Sequence, residues 1–193
     1  ITAGSGISSM DKIFWNLLAE REGCISYGHG VGATRIASQK SYGMDNIVKA
    51  PNQDENNEYF VTRVPDMVED ADAIVVFGGT NDSWSNAPLG ELQYEGWEKQ
   101  DLFSVLPAIT YFMDLLKRNH PRARIIFIAN CGIKPQIIEG MRCAAEHIGV
   151  ECLALHDIDK MNGHPTVLGM EQIHTQLMAY LGAPHPMANN GKV

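Results

Sequence analysis

One apolar run restricts the fold of this chain more than any other feature. Ala73–Phe77 is an uninterrupted apolar segment rich in β-branched residues, and Gly78 and Gly79 follow it directly. A short run of this kind is typical of a strand buried on both faces, as in a parallel sheet. The two glycines permit a sharp turn at its end. The sequence therefore predicts that Asn81 lies at the carboxyl end of a strand, where open α/β sheets bind ligands.

The side chain of Asn81 has two competing interpretations. An uncharged amide donor held at this edge of the sheet suits an oxyanion that develops during a reaction. In the alternative, Asn81 and Asp82 only cap a turn or the start of a helix. The stretch by itself favours neither interpretation.

Apolar strands and amphipathic helices alternate along the rest of the chain. This alternation predicts βαβ units and hence an α/β fold, a parallel sheet with helices on both faces. We expect a single domain covering residues 1–193, with an exposed loop at Lys40–Tyr59. The other predicted strands are Cys24–Tyr27, Arg124–Ala129 and Val150–Leu155. The predicted helices are Met10–Glu22, Val61–Glu69, Asp101–Asn119, Pro135–Ile148 and Thr166–Leu181, with one more beginning at Arg35.

Composition and charge limit the classes of partner. The formal net charge of -8 argues against nucleic acid and anionic membranes, since both need a basic face. No apolar run approaches the length that spans a membrane. The four cysteines have no metal-binding spacing, and buried free thiols are expected. The glycine-rich turn Gly28–Thr34 lacks the G-x-G-x-x-G spacing and the G-K-[ST] ending, so nucleotide binding is not expected.

Three predicted turns follow strands and are expected to meet at one edge of the sheet. Gly32 offers a backbone N–H, Asn81 an amide and His164 an imidazole. Two donors and a histidine supply most of what acyl transfer requires, an oxyanion hole and a general base. Taken alone, His164 is better explained as a residue at the start of a helix with no chemical role. The three turns are Gly28–Thr34, Gly78–Asp82 and His156–His164.

Two motifs carry a specific resemblance. Gly-Gly-Thr-Asn-Asp at 78–82 and Gly-His-Pro-Thr-x-x-Gly-Met at 163–170 resemble the SGNH (GDSL-type) hydrolase family, and the order of blocks agrees over nearly the whole chain. The resemblance implies a three-layer, flavodoxin-like sheet. It also implies a serine esterase that hydrolyses a carboxylic ester, for example by deacetylating a carbohydrate, with no metal or organic cofactor. The family has several short sequence motifs, called blocks, in a fixed order, and Gly-Ala-Thr at 32–34 resembles the second of them. Gly32 and Asn81 thereby inherit the oxyanion hole, and His164 inherits the role of base.

Aromatic residues in the predicted loop Ser83–Gln100 are candidates for substrate contact. Trp84, Tyr94 and Trp97 would suit stacking on a sugar, with Trp84 as the substrate-binding candidate. The alternative is that these rings pack down on the domain.

The first block is where the chain departs from the family. The family commonly opens with Gly-Asp-Ser, which carries the nucleophile, followed by Ile-Thr-x-Gly, and this chain starts at Ile-Thr-Ala-Gly. The sequence is therefore expected to be incomplete or rearranged, without the nucleophile and the first strand. Met187–Val193 resembles the start of a protein, as circular permutation would explain, and is otherwise an ordinary polar tail. None of Ser5, Ser8 and Ser9 follows a predicted strand. The alternative function is a non-catalytic carbohydrate-binding relative that lacks the nucleophile.

The acid that would orient His164 is a second departure. The family usually places an aspartate three residues before the histidine, and Met161 occupies that position here. Asp159 and Asp157 are the nearest carboxylates, and Asp159 is the favoured candidate. The alternatives are that Asp159 is only solvated, or that the enzyme is a Ser-His dyad whose imidazole is oriented by a backbone carbonyl.

Overall fold

The computed structural model describes residues 1–4, 7–38 and 59–183. The chain divides into two compact units, one within Ile1–Ser5 and Tyr27–Asp157 and the other within Gly6–Ser26 and Ile158–Val193. The predicted loop Lys40–Tyr59, apart from Tyr59, and the tail Met187–Val193 lie outside the described residues. None of the helices in the described ranges is long and apolar enough to cross a lipid bilayer.

Helices separate the successive strands of the parallel sheet along the described chain, as the sequence predicts. The α-helices are α1 (Phe14–Glu22), α2 (Thr80–Trp84), α3 (Val105–Asn119), α4 (Pro135–Ile148) and α5 (Val167–Gly182). The strands are β1 (Ala73–Gly78), β2 (Arg124–Ala129), β3 (Glu151–Ala154), β4 (Lys160–Met161) and β5 (His164–Pro165). Short 3₁₀ helices cover Met10–Lys12, Phe60–Asp66 and Asp101–Phe103.

The first unit is organised by a parallel sheet in which β2 lies between β1 and β3. Phe127 of β2 belongs to an apolar core that also contains residues of α3 and α4, and it meets Phe112 of α3 edge to face at 5.7 Å. Ile126 and Ile128 point to the opposite face of β2, because side chains alternate along a strand, and both are fully buried. The predicted α/β class with a parallel sheet is confirmed.

The predicted and observed bounds of the helices and strands agree best where the sequence signal lies within the element itself. The predicted bounds of β2 and α4 match the structure at both ends. The predicted helix Asp101–Asn119 begins instead with a 3₁₀ turn, and α3 starts after Ser104. Val61–Glu69 is replaced by the 3₁₀ helix Phe60–Asp66.

Two predicted elements in the first forty residues are wrong. Cys24–Tyr27 is irregular rather than a strand, and Ile25 is 84% exposed, so the burial that a core strand requires is absent there. Arg35 does not begin a helix. It forms an isolated parallel bridge with Tyr59, a residue 24 positions further along the chain that local sequence cannot anticipate.

The second unit is formed by α1, α5 and the two-stranded antiparallel β4–β5 hairpin. Phe14 and Leu17 of α1 are buried, as are Ile173 and Leu177 of α5. A two-bond ion pair joins Arg21 of α1 to Glu171 of α5 at 2.7 and 2.8 Å. Leu168, in the first turn of α5, is 58% exposed.

Candidate functional site

Asn81 lies in the first turn of α2, directly after β1. Gly79 is the N-cap residue of α2, in a left-handed conformation (φ 86°) that glycine adopts without strain. The side-chain amide Nδ2 of Asn81 donates a hydrogen bond of 2.8 Å to the carbonyl oxygen of Thr34. The N-cap residue is Gly79, so neither Asn81 nor Asp82 caps the start of this helix.

Asp82 is a buried anchor that the sequence did not reveal. Its carboxylate is fully buried and accepts hydrogen bonds from the backbone N–H groups of Ile36 at 3.0 Å and Ala37 at 2.9 Å. Burial raises the pKa of Asp82, and the two N–H donors and the charge of Arg35 oppose that rise. We call the segment Gly28–Thr34 the Gly32 turn. The Asp82 carboxylate fixes the chain just after this turn to the residues that follow β1.

Two buried arginines surround the same segment. Arg35 donates to the Ser38 carbonyl at 3.0 Å and to the Ser85 hydroxyl at 3.2 Å, and burial lowers its pKa. Arg63 donates to the Thr34 hydroxyl at 3.4 Å, and burial lowers its pKa to about 10. The Arg63 contact thus restrains Thr34, at the end of the predicted Gly28–Thr34 turn, and the Arg35 contacts join Ser38 to Ser85.

The Gly32 turn is open on its glycine side. Apart from Gly32 and its two chain neighbours, no described residue has an atom within 4 Å of the position that a Cβ of Gly32 would occupy. Ala33 has a positive φ of 61°, and the Thr34 hydroxyl donates to the Val31 carbonyl at 2.8 Å, so the turn is held by its own residues. The structure thus brings the Gly32 turn and the Asn81 side chain together, linked through Thr34.

The three candidate aromatic residues have different surroundings. Trp84, at the end of α2, is 50% exposed. The Trp97 indole Nε1 donates to the Gln93 carbonyl at 2.9 Å and to the Thr110 hydroxyl at 3.2 Å. Tyr94 stacks on the ring of His147 with centroids 3.8 Å apart. Trp97 and Tyr94 therefore pack on the first unit, whereas Trp84 presents its ring to solvent.

His164 is the first residue of β5, in the second unit. β4 and β5 are joined by the two residues Asn162 and Gly163, whose φ values of 51° and 79° are those of a type I′ turn. The Asn-Gly pair is the strongest short hairpin signal that a sequence carries, and it was overlooked in the predicted loop His156–His164. His164 is half-buried, with its Nδ1 atom fully enclosed.

Asp159 is connected to the start of α5. Its carboxylate accepts a hydrogen bond from the Thr166 hydroxyl, and its carbonyl accepts one from the Thr166 N–H at 3.1 Å. Its own N–H donates to the Gln172 side chain at 2.6 Å. Thr166 also caps α5, since its hydroxyl accepts from the N–H of Gly169 at 3.2 Å. Asp159 thus ties the hairpin that carries His164 to the first turn of α5.

Asp157 has a different environment from Asp159. It belongs to the first unit, its side chain is 96% exposed, and it lies 3.2 Å from Nδ1 of the neighbouring His156. A carboxylate this exposed is strongly screened by water, and its contact with His156 is between adjacent residues.

Comparison with solved structures gives the same fold. A protein of Bacteroides ovatus named as a GDSL-like lipase superposes with a TM-score of 0.78 at 31% identity, covering 91% of this chain and 81% of that one. A second, from Bacteroides uniformis, gives 0.74 at 32% identity, covering 90% and 77%. A Lactobacillus plantarum protein shares the fold, with a TM-score of 0.70 at 19% identity over 90% and 89% of the two chains.

The family model extends this result to the sequence. No curated protein matches the chain significantly. The model of the GDSL-like lipase/acylhydrolase family matches residues 6–181. The resemblance drawn from the motifs is therefore confirmed, and the chain belongs to the GDSL-like lipase/acylhydrolase family of hydrolases.

Proposed function

We propose that the protein is a serine esterase in which Gly32 and Asn81 stabilise the oxyanion and His164 is the general base. The observation that supports it best is the 2.8 Å bond from Asn81 to the Thr34 carbonyl. That bond uses one of the two hydrogens on Nδ2 and fixes the direction of the other. An amide held in advance needs no reorganisation when negative charge develops, which is the main benefit of an oxyanion hole.

The proposed reaction follows the chemistry of acyl transfer. The serine of the family's Gly-Asp-Ser block attacks the ester carbonyl carbon while the imidazole of His164 takes its proton. The Gly32 N–H and the Asn81 amide hold the resulting oxyanion. Collapse of the tetrahedral intermediate breaks the bond to the alcohol oxygen, which takes the proton back from His164. Water then hydrolyses the acyl-serine by the same steps. No serine of Ile1–Val193 is assigned as the nucleophile.

Asp159 is our proposed orienting acid, and its contacts make this testable. The carboxylate lies in the same unit as His164, and it already accepts a bond from Thr166. If Asp159 acts on the imidazole, D159N lowers kcat by about tenfold or more while T166V, which removes only the hydroxyl, retains most of it. Equal losses in the two variants would assign Asp159 to the anchoring of α5 and favour the dyad.

A second part of the proposal concerns the chemical class of the ester substrate. The exposed ring of Trp84 lies in the same short helix as Asn81, and an aromatic face of this kind suits the carbon–hydrogen face of a sugar. We propose an acetylated carbohydrate as the substrate. Trp84 would then contact the sugar ring.

The decisive test is hydrolysis of p-nitrophenyl acetate by the full-length protein and by its H164A variant. Loss of a general base lowers kcat by about 10²- to 10⁴-fold. An unchanged rate would remove His164 from the mechanism. Oligosaccharide binding, seen by calorimetry, in a protein that turns over no ester would instead support the non-catalytic carbohydrate-binding alternative.

A further inference from the structure

Thr34 makes a hydrogen bond on each side of the proposed oxyanion hole. Its carbonyl oxygen accepts from the Asn81 amide at 2.8 Å, and its hydroxyl donates to the Val31 carbonyl at 2.8 Å. The hydroxyl bond closes the chain around Gly32, which lies between its two ends. Thr34 is 3% exposed, so water does not compete for either bond. Thr34 thus couples the position of the Gly32 N–H to that of the Asn81 amide.

The same hydroxyl bond spans a strained residue. Ala33 has a φ of 61°, in the left-handed region that residues with a Cβ seldom adopt. Backbone strain of this kind persists only where the surrounding structure holds it. Because the bond from Thr34 to Val31 encloses Ala33, it opposes relaxation of the turn.

Arg63 sets the direction of the Thr34 hydroxyl. Its Nη2 donates to the hydroxyl oxygen at 3.4 Å. A guanidinium donates and never accepts, so the hydroxyl accepts from Arg63 and keeps its own hydrogen for the turn carbonyl. The guanidinium lies 4.8 Å from the ring centroid of Phe60, and Cε2 of Phe60 lies 2.7 Å from where a Cβ of Gly78 would be. Arg63 is therefore held beside the end of β1, the strand that leads into α2.

The reaction depends on where these donors are held. Acylation and deacylation both pass through a tetrahedral oxyanion, and a donor stabilises it only when aimed at the position that the oxyanion occupies. From the proposed esterase function, we infer that Thr34 is a positioning residue that holds the two oxyanion donors in register, with its hydroxyl directed by Arg63. Thr34 touches no reacting atom and acts through Gly32 and Asn81.

The first test removes the hydroxyl of Thr34. T34V keeps the shape of the side chain and the carbonyl bond to Asn81. In the full-length protein it is expected to lower kcat for p-nitrophenyl acetate about tenfold and to change KM by less than about twofold. The reason is that displaced donors weaken binding of the transition state and leave ground-state binding unchanged. T34S restores the hydroxyl and should recover kcat to within about twofold of wild type.

Thr110 of α3 provides the matched control. Its hydroxyl also donates to a carbonyl three residues earlier, that of Pro107 at 2.9 Å, and accepts from a distant nitrogen, Nε1 of Trp97 at 3.2 Å. Like Thr34, it is buried. T110V should lower the urea midpoint about as much as T34V does, because each loses equivalent bonds, and should keep the wild-type kcat. A tenfold loss of kcat in T110V as well would assign the effect of T34V to general loosening of the fold and overturn the inference.

Arg63 gives an independent variant. R63M removes the donor and replaces a buried charge with an apolar side chain, a change that folded proteins commonly tolerate. It is expected to lower kcat about threefold at unchanged KM. Because Arg63 acts through the hydroxyl, T34V/R63M should lose no more than T34V alone. A wild-type kcat in R63M, or losses that multiply in the double variant, overturns the role of Arg63.

The failure of this inference differs from the failure of the proposed function. A kcat of T34V within twofold of wild type, or an equal loss in T34S, overturns the role of Thr34 while hydrolysis dependent on His164 remains. If T34V does not fold, kcat in T34S and R63M decides, since retention in T34S with loss in R63M supports the inference and any other result overturns it. Absence of hydrolysis dependent on His164 in the wild type overturns the proposed esterase mechanism, and this inference with it.

Discussion

The side-chain amide of Asn81 donates to the carbonyl oxygen of Thr34 at 2.8 Å, across 47 residues of sequence. Next to it, the buried carboxylate of Asp82 receives the N–H groups of Ile36 and Ala37. Two consecutive side chains at the end of β1 thus hold the segment that follows the Gly32 turn. In the proposed esterase, Asn81 touches the reacting group, and Asp82 holds the backbone of Ile36 and Ala37 in place.

Replacing Asn81 by alanine separates these roles. N81A is expected to lower kcat for p-nitrophenyl acetate by about 10²-fold, because an oxyanion donor is lost, and to cost about 1 kcal/mol of unfolding free energy. N16A is the matched control, since Asn16 makes the same kind of bond to the Met10 carbonyl at 2.8 Å. It should show the small stability cost without the loss of kcat. A kcat of N81A within twofold of wild type would exclude Asn81 from the oxyanion hole.

The raised pKa of Asp82 predicts a pH dependence of stability. At pH values just above 3.8, the ordinary pKa of the group, the folded protein keeps a proton on Asp82 that the unfolded chain has released. The extra proton makes a stabilising contribution to the free energy of unfolding. That contribution is fully present below pH 3.8 and is lost as pH rises through the raised pKa of Asp82 in the folded protein.

The D82N variant isolates that contribution. The amide of Asn at position 82 does not titrate, so the difference in unfolding free energy, wild type minus D82N, should decrease from pH 4 towards neutrality. The hydrogen bonds that D82N disturbs add an offset to this difference that does not depend on pH. Urea denaturation at several pH values measures this difference, in which the contributions of all other carboxylates to the unfolding free energy cancel. A difference that increases with pH would mean that the N–H donors and Arg35 outweigh burial.

Trp84 and Trp97 should respond to mutation in opposite ways. W97F removes the indole donor to Gln93 and Thr110 and is expected to lower the unfolding free energy by about 1 kcal/mol without changing KM. W84A should leave stability nearly unchanged, because the ring is half exposed, and raise KM for an acetylated sugar about fivefold. Thermal denaturation and steady-state kinetics check both. An unchanged KM in W84A would remove Trp84 from the substrate contact.

Gly169 holds the hairpin close to α5. A Cβ there would lie 2.2 Å from the backbone carbonyl oxygen of Asp159, a clash that only movement of the hairpin can relieve. G169A is expected to cost about 1–3 kcal/mol and to lower kcat through displacement of His164. At Gly182, in the same helix, such a Cβ would meet no described atom within 4 Å beyond the adjacent residues and the local helix backbone, so G182A should be neutral or slightly stabilising. Similar stabilities of the two variants would show that the hairpin accommodates the methyl group without strain.

Local signals predicted the fold better than they predicted the site. The bounds of β2 and α4 were readable because apolar periodicity, Pro135 and Gly149 are all within the segment itself. The two motifs at 78–82 and 163–170 were sufficient to identify the family, and the match of the family model confirms it. The strand predicted at Cys24–Tyr27 failed because its composition resembles a strand while its side chains are exposed.

The sequence by itself determined the α/β class, the family and the residues that deserve attention at the strand ends. Only the tertiary structure decided what those residues contact: that Asp82 is buried under two N–H groups 46 and 45 residues earlier in the chain, that Trp97 packs while Trp84 is exposed, and that Thr34 joins the Gly32 turn to Asn81. The physical reason is that a side chain's burial and its hydrogen-bond partners depend on groups distant in sequence, whereas helix and strand formation depends largely on neighbours.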